Sequence, residues 1–203
     1  SVRFLGNRSS GRMGVALAQE ARRRGAEVTL LVSNLAVEAP PGVEIVPAPT
    51  AEDVARETLA RSDADIVLMA AAVADYRPVE GHDGKRPKDE QAWEVTLEPT
   101  LDVLQELGSR RRNGSVLVGF AADVGEGGLE RAREKRDRKG ADLIVYNDVG
   151  RTDIGFDAVE NEVVVISADG ERLIPKAPKE RIAAAILDEA ETLLEERDGR
   201  VGR

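Results

Sequence analysis

The residues best able to do chemistry lie in four runs: GNRSSGRMG (6–14), MAAAVADYRP (69–78) with GHDGKRPKDE (81–90) behind it, VGFAAD (118–123), and RAREKRDRK (131–139). The first is glycine-rich and follows a short apolar stretch, the usual setting of a phosphate cradle. It is not a Walker loop. Gly6 and Gly11 have that spacing, but Arg12 and Met13 follow, and a methionine cannot hold magnesium through a hydroxyl. Of the dinucleotide fingerprint only the last half, Gly11 to Gly14, is present. Asn7, Ser9, Ser10 and the backbone amides entering a helix at Gly11 could hold an anion on the helix dipole, with a plain N-capping turn as the alternative.

In the second run, four alanines among residues 70–74 leave backbone bare at a strand end. A flat base or a sugar could lie there, and a tight strand–helix crossing would explain the same residues. Asp75 follows, where an acid could bind a hydroxyl or hydrated cation, or could close an Asx-turn. Lys85, Arg86 and Lys88 sit on glycine-flanked backbone and could neutralise phosphate late in a reaction, or could belong to a solvated loop. His82, the sole histidine, reads as a surface residue. VGFAAD repeats the pattern of strand, small residues and acid. From Arg131 to Lys139 six cations face two anions, a local reversal of sign in a chain of net charge −9. Lys135 and Lys139 are four apart and share a helix face, so both could reach one triphosphate; a solvated charged face is the alternative.

Composition bounds what these runs can mean. At 203 residues, 41% hydrophobic and 33% charged, the chain is expected to form one globular domain, residues 1–203. Aromatics at 3% and the acidic balance argue against a nucleic-acid partner. With no cysteine there is no thiolate nucleophile, disulfide or zinc cluster. No apolar run approaches the roughly 20 residues of a membrane span, and no leader is visible, so a cytoplasmic protein is expected. Ser1 leads straight into a strand, as in a piece cut from something longer. No Ser/His/Asp set or metal-ligand cluster occurs, so chemistry must come from charge placement and proximity, which suits phosphoryl or nucleotidyl transfer.

The elements that must position these residues alternate. Strands are expected at 2–5, 27–32, 43–46, 65–70, 93–97, 115–120 and 142–147. Helices are expected at 11–24, from Thr50, at 101–108 and at 126–139. A capping box pairs Thr50 with Asp53. Strands 161–167 and 171–174 form a hairpin, and a helix runs from 179 to 196. The fold class is α/β: a three-layer, Rossmann-like, mostly parallel sheet with helices on both faces and a small antiparallel hairpin extension. Ligands then bind beyond the carboxyl ends of the strands, at loops 6–11, 70–88, 120–128 and 147–157. NAD is disfavoured because strand 27–32 ends in Ser33 and Asn34, with no acid to grip a ribose.

Together, NRSSGRMG, AAAVADYRP, VGFAAD, EKRDRKGADLIVYND and the GF…NEVVVIS segment closely resemble phosphopantothenate–cysteine ligase, in bacteria usually the C-terminal half of the bifunctional phosphopantothenoylcysteine synthetase/decarboxylase. The resemblance covers nearly the whole chain, with motifs in order. It implies a ligase of coenzyme A biosynthesis that joins 4′-phosphopantothenate to L-cysteine. CTP and Mg2+ activate the carboxylate as an acyl-cytidylate, pyrophosphate leaves, the cysteine amine attacks and CMP departs. It further implies that Asn7 grips the acyl-cytidylate, Arg3 the pantothenate phosphate, and that Lys85 is the essential lysine of a flap. Ser9, Ser10, Gly11, Ala71, Ala72, Asp75, the turn Leu101, Asp102 and Val103, and Phe120, Lys135 and Lys139 would contact nucleotide, Asp75 also magnesium. The flap reads KRPK where the family usually has Lys-Ile-Lys-Lys, and Leu101 stands in place of a proline. The family's first strand and its T-A-G-G-T-x-E loop, which precede Arg3, do not occur, so a ligase domain without its first strand is expected. A homodimer is also expected, with contact through 74–98 or the 161–174 hairpin, and a flavin-dependent decarboxylase as a possible fusion partner; no flavin or NAD is expected on this domain. The rival readings are an NADP-dependent oxidoreductase and a catalytically silent nucleotide-binding module.

Overall fold

The computed structural model describes residues 5–7, 9–33, 37–80, 92–148, 150 and 160–201. The positions of Arg3 and Lys85, and strand 2–5 apart from Leu5, lie outside them. Helix α1 (Arg12–Arg23) leads to β1 (Thr29–Val32), β2 (Glu44–Pro47), α2 (Ala51–Leu59) and β3 (Ile66–Met69). The short strands β4 (Tyr76–Pro78) and β5 (Leu97–Pro99) precede α3 (Val103–Arg110), β6 (Val116–Asp123), α4 (Gly128–Lys139) and β7 (Leu143–Asp148). Strands β8 (Glu160–Ile166) and β9 (Glu171–Pro178) then run into α5 (Lys179–Val201).

The main sheet has the order β3-β6-β7-β8-β9, in which β3, β6 and β7 are parallel and β8 and β9 antiparallel additions. Strands β1 and β2 pair in parallel as a separate two-stranded sheet among the described residues. Side-chain alternation assigns the layers. Val116, Val118, Leu143, Val145, Val163 and Val165 face α1 and α5, whereas Leu117, Ile144, Tyr146 and Ile166 face α2, α3 and α4. Both faces are covered, which is why these strands read as continuous apolar runs. The α/β expectation holds.

Local chemistry fixes the ends. Thr50 and Asp53 form the expected capping box, each side chain accepting from the other's backbone amide at 3.1 and 3.2 Å. Gly11 caps α1 at φ 74, a left-handed conformation that a Cβ would disfavour. Two expectations need correction. Between the expected strands 65–70 and 93–97, where no element was expected, lies β4, and of 93–97 only Leu97 enters a ladder, because the partner strand is Leu97–Pro99. Pairing across about twenty residues leaves no local period to detect. The ribbon is extended by Val79 N–H donating to Thr96 O at 3.0 Å and Thr100 N–H donating to Asp75 O at 2.9 Å, and Arg77 reaches Glu98 at 2.9 Å.

Candidate active site

Because β3, β6 and β7 are parallel, their carboxyl ends share one edge, and the expected residues gather there. Beyond β3 the chain runs through Ala71, exposed, and Ala72, half-buried, to Asp75, exposed. Two neighbours tie this segment down. The Asn7 amide donates to Val73 O at 3.0 Å, which joins the loop entering α1 to the end of β3. The Thr100 hydroxyl donates to Ala74 O at 2.7 Å, which joins the turn before α3 to the same segment. Thr100 was not anticipated, since a lone threonine carries no motif.

The 101–103 turn is specified by its own residues. Asp102 caps α3, its Oδ1 accepting from the Gln105 amide at 3.1 Å. Val103 is buried at 2% exposure, and Leu101 is half exposed. The loop before α1 is less polar than expected: Ser10 is 7% exposed. Ser9 Oγ accepts from the Gly11 amide at 3.4 Å. Gly11 is the N-cap of α1 and no side-chain hydrogen bond caps the helix.

Helix α4 supplies the cations. Lys135 Nζ donates to Phe120 O at 2.7 Å, at the carboxyl end of β6. Lys139 Nζ forms an ion pair with Asp102 and lies 3.4 Å from Gln105 Oε1. Burial and the neighbouring Lys139 push the Lys135 pKa down, and Asp102 and Asp75 pull against them. Burial works to raise the Asp102 carboxyl, yet the Lys139 pair and the Gln105 amide outweigh it and hold the group below the usual carboxylate range. Asn7, the 71–75 segment, the 101–103 turn, Phe120, Lys135 and Lys139 therefore form one connected set.

Three arginines of α4 do other work. Arg131 pairs with Asp123 at 2.6 Å, Arg133 with Glu130 and Glu171, and Arg136 with Asp137 at 2.6 Å. Asp123, the acid that ends VGFAAD, thus anchors the loop after β6. What holds Lys139 in place is a glycine contact that sequence reasoning missed: a Cβ on Gly108 would lie 2.0 Å from Lys139 O. The two helices touch through backbone, and the Lys139 side chain reaches back to the start of α3.

A concavity of about 290 Å³ lies at the opposite edge, lined by Arg136, Asp142, Ser167, Asp169 and Arg197 among others. Its principal charges are already paired, Arg136 with Asp137 and Arg197 with Asp142. The carboxyl edge is the better candidate. Among the described residues no group of three His, Cys, Asp or Glu could hold a metal, and no helix is long and apolar enough to cross a membrane. The edge offers two lysines, two carboxylates, Asp75 and Asp102, and bare backbone. It can bind polyanions and balance developing charge.

Comparison with known proteins gives concordant matches. The family described as the DNA/pantothenate metabolism flavoprotein C-terminal domain matches residues 1–194. The coenzyme A biosynthesis bifunctional protein CoaBC of Bacillus subtilis is 39% identical over 196 residues, covering 95% of this chain and 48% of that protein. Its counterpart in Mycolicibacterium smegmatis is 37% identical over 211 residues, covering 98% and 50%. The chain spans about half the length of the curated relatives it matches. A crystal structure of the C-terminal domain of CoaBC superposes with a TM-score of 0.79 at 34% identity, covering 96% of this chain and 88% of that one.

Proposed function

This chain belongs to the DNA/pantothenate metabolism flavoprotein C-terminal domain family, and from that premise we propose that it is a CTP-dependent phosphopantothenate–cysteine ligase of coenzyme A biosynthesis. Residues 1–203 act as one ligase domain. The relatives act in coenzyme A biosynthesis by name, and no observation favours the NADP-dependent alternative.

The observation that carries the reading is the convergence of Lys135 and Lys139 on the carboxyl edge, beside Asp75 and the 101–103 turn. In the first half-reaction a carboxylate oxygen of 4′-phosphopantothenate forms a bond to the α-phosphorus of CTP. The bond from that phosphorus to the bridging oxygen breaks, and pyrophosphate leaves. Lys135, Lys139 and Lys85 offset the charge that develops on it. In the second, the cysteine amine attacks the acyl carbon, the bond to the cytidylate oxygen breaks and CMP departs. Asn7, fixed through Val73 O, orients the acyl group. Ala71, Ala72, Ser9, Ser10, Gly11, Phe120 and the 101–103 backbone surround the nucleotide, and Arg3 takes the pantothenate phosphate.

Asp75 is exposed, and among the described residues it belongs to no cluster of metal-ligating groups. That donor set fits a magnesium ion delivered with the triphosphate, which Asp75 would help hold. When bound, the ion supplies further neutralisation of phosphate charge. We assign the reaction to the cytoplasm and expect a decarboxylase domain on the whole protein, a reading supported by relatives that are named bifunctional and are about twice as long as the part this chain matches. A homodimer is supported by exposed apolar residues on the β4–β5 ribbon and beside it. Tyr76 is 52% exposed, Trp93 51% and Leu101 50%.

The test is pyrophosphate release from this chain with phosphopantothenate, magnesium and cysteine, comparing CTP with ATP. CTP-dependent release that disappears without phosphopantothenate is expected. A folded chain that binds CTP without turnover would instead identify a silent nucleotide-binding module, and one that binds no CTP would refute the assignment. Light scattering of the same sample tests the dimer.

A further inference from the structure

Lys139 has two suitors. In the absence of ligand its ammonium is engaged by the Asp102 carboxylate and the Gln105 side-chain oxygen, both on the first turn of α3. That engagement is built in. The Gly108–Lys139 backbone contact sets α3 against the end of α4 and leaves no room for slippage. Gly140 then stops α4 at φ 61. Asp102 itself is held by the Gln105 amide. The Lys139 side chain is only 11% exposed although its charge faces a polyanion site, whereas Asp102 is 44% exposed. A carboxylate this close to incoming phosphates is a cost to binding unless it has a purpose.

We propose that Asp102 is a positioning residue that competes with the nucleotide's phosphates for Lys139, holding the lysine in the free protein, yielding it to the triphosphate and recapturing it so that pyrophosphate can leave. This rests on the reading of the carboxyl edge as the nucleotide site. Three charges share the exchange: Lys135 lies close enough for Asp102 to act on its charge, so neutralising Asp102 removes restraint from both lysines. Asp75 also acts on Lys135, favouring its charge, and Arg138 contributes repulsion. The phosphates thus meet a pair already turned towards α3, and an ion pair in partial contact with solvent is cheap to open. The same carboxylate gives the lysine somewhere to return after the α–β bond is broken.

The capping role of Asp102 allows a clean separation. Asn caps a helix as well as Asp does, so Asp102→Asn keeps the Gln105 contact and removes the charge, while Asp102→Ala removes both. Calorimetric titration with inorganic pyrophosphate and with CTP, together with steady-state turnover, reads the difference. Asp102→Asn is expected to melt within a degree or two of the wild type, to bind pyrophosphate roughly threefold to tenfold more tightly, and to lower both KM for CTP and kcat, because product is held longer. A residue that merely shaped the turn would do the opposite to KM. Asp102→Ala should lose thermal stability, and any gain in pyrophosphate affinity should persist in it. Equal or weaker pyrophosphate binding by a well-folded Asp102→Asn would overturn the proposal while leaving the nucleotide site intact. No binding of either probe by the wild type would overturn the site assignment, and the proposal with it.

Discussion

Gly108→Ala should destabilise the protein even though it places a better helix former in a helix. The substituted Cβ would lie 2.0 Å from Lys139 O, 3.1 Å from Lys139 C and 3.4 Å from the Gly140 Cα. All three are backbone atoms, so no side-chain rotation relieves the clash. Ordinary contact begins at 3.4 Å, and α3 must therefore back away from α4 by up to 1.4 Å, the difference between 3.4 and 2.0 Å. Overpacking of this kind costs about 1–3 kcal/mol, and the helix propensity of alanine returns up to about 1 kcal/mol. A net loss of about 1–2 kcal/mol corresponds to a fall of roughly 2–8 °C in Tm for a chain of this size. Gly199→Ala is the matched control. A Cβ there meets nothing within 4 Å, so the same chemical change should be neutral or stabilising by a few tenths of a kcal/mol. Calorimetric melts of both variants, with CTP titration of each, test the argument. Because α3 carries Asp102 and Gln105, its retreat should also weaken control of Lys139 and change CTP affinity in Gly108→Ala alone. If Gly108→Ala melts at or above the wild-type temperature, the backbone contact between α3 and α4 is not as described and the reasoning fails.

Other outcomes follow from particular contacts. Asp142 accepts from Arg111, from Arg197 and from the Leu117 amide at 2.8 Å. Burial opposes its ionisation, but these partners hold its pKa below the usual carboxylate range. Its stabilisation is therefore complete above the unfolded carboxyl pKa of about 4 and is lost as pH falls through the lower folded value. Asp142→Asn should cost about 2–4 kcal/mol at neutral pH and flatten the acid limb of urea-unfolding stability; a variant as stable as wild type would refute this. Lys135 is the reverse case: its lowered pKa means that CTP affinity should decline with rising pH before an ordinary lysine would titrate. Lys135→Arg should remove that decline, which titrations in alkaline buffers would show. Asn7→Asp cannot donate to Val73 O, so amide product should fall at least tenfold while phosphopantothenate-dependent pyrophosphate release survives. Loss of both to the same extent would contradict a role confined to the second half-reaction.

Much of this was legible because local rules and global fold agree. The strands buried on both faces, Val116–Phe120 and Leu143–Asn147, read as apolar runs, and Thr50 with Asp53 announced a helix start that the hydrogen bonds realise. The two lysines four apart on α4 reach Phe120 O and Asp102. What escaped was non-local. The β4–β5 ribbon is a pairing between distant segments, and its Tyr76–Pro78 strand looks like loop until its partner is known. Thr100 and Gln105 matter only through what lies opposite them. Gly108 looks like a weak spot in a helix, and its reason appears once Lys139 O is seen against it. An acid after a strand is ambiguous until Arg131 is found beside it.

The division of labour on α4 explains why a helix so basic occurs in so acidic a chain. Its arginines at 131, 133 and 136 are matched by Asp123, by Glu130 and Glu171, and by Asp137. Planar guanidinium groups suit such fixed, multidentate pairing, and they leave little net charge to act at a distance. The lysines are placed differently. Lys135 gives its charge to a neutral carbonyl, Phe120 O, so none of its positive charge is cancelled by that contact. Lys139 is cancelled, but by a single partly exposed carboxylate on a neighbouring helix. An ammonium on a flexible stem can exchange one anion for another with little rearrangement of the backbone. The positive field at the carboxyl edge is therefore not the sum of the helix's six cations. It is set by two lysines with Arg138 beside them: Lys139 is paired with Asp102, Lys135 feels Asp102 and Asp75 without a direct ion pair, and the state of Asp102 bears on both.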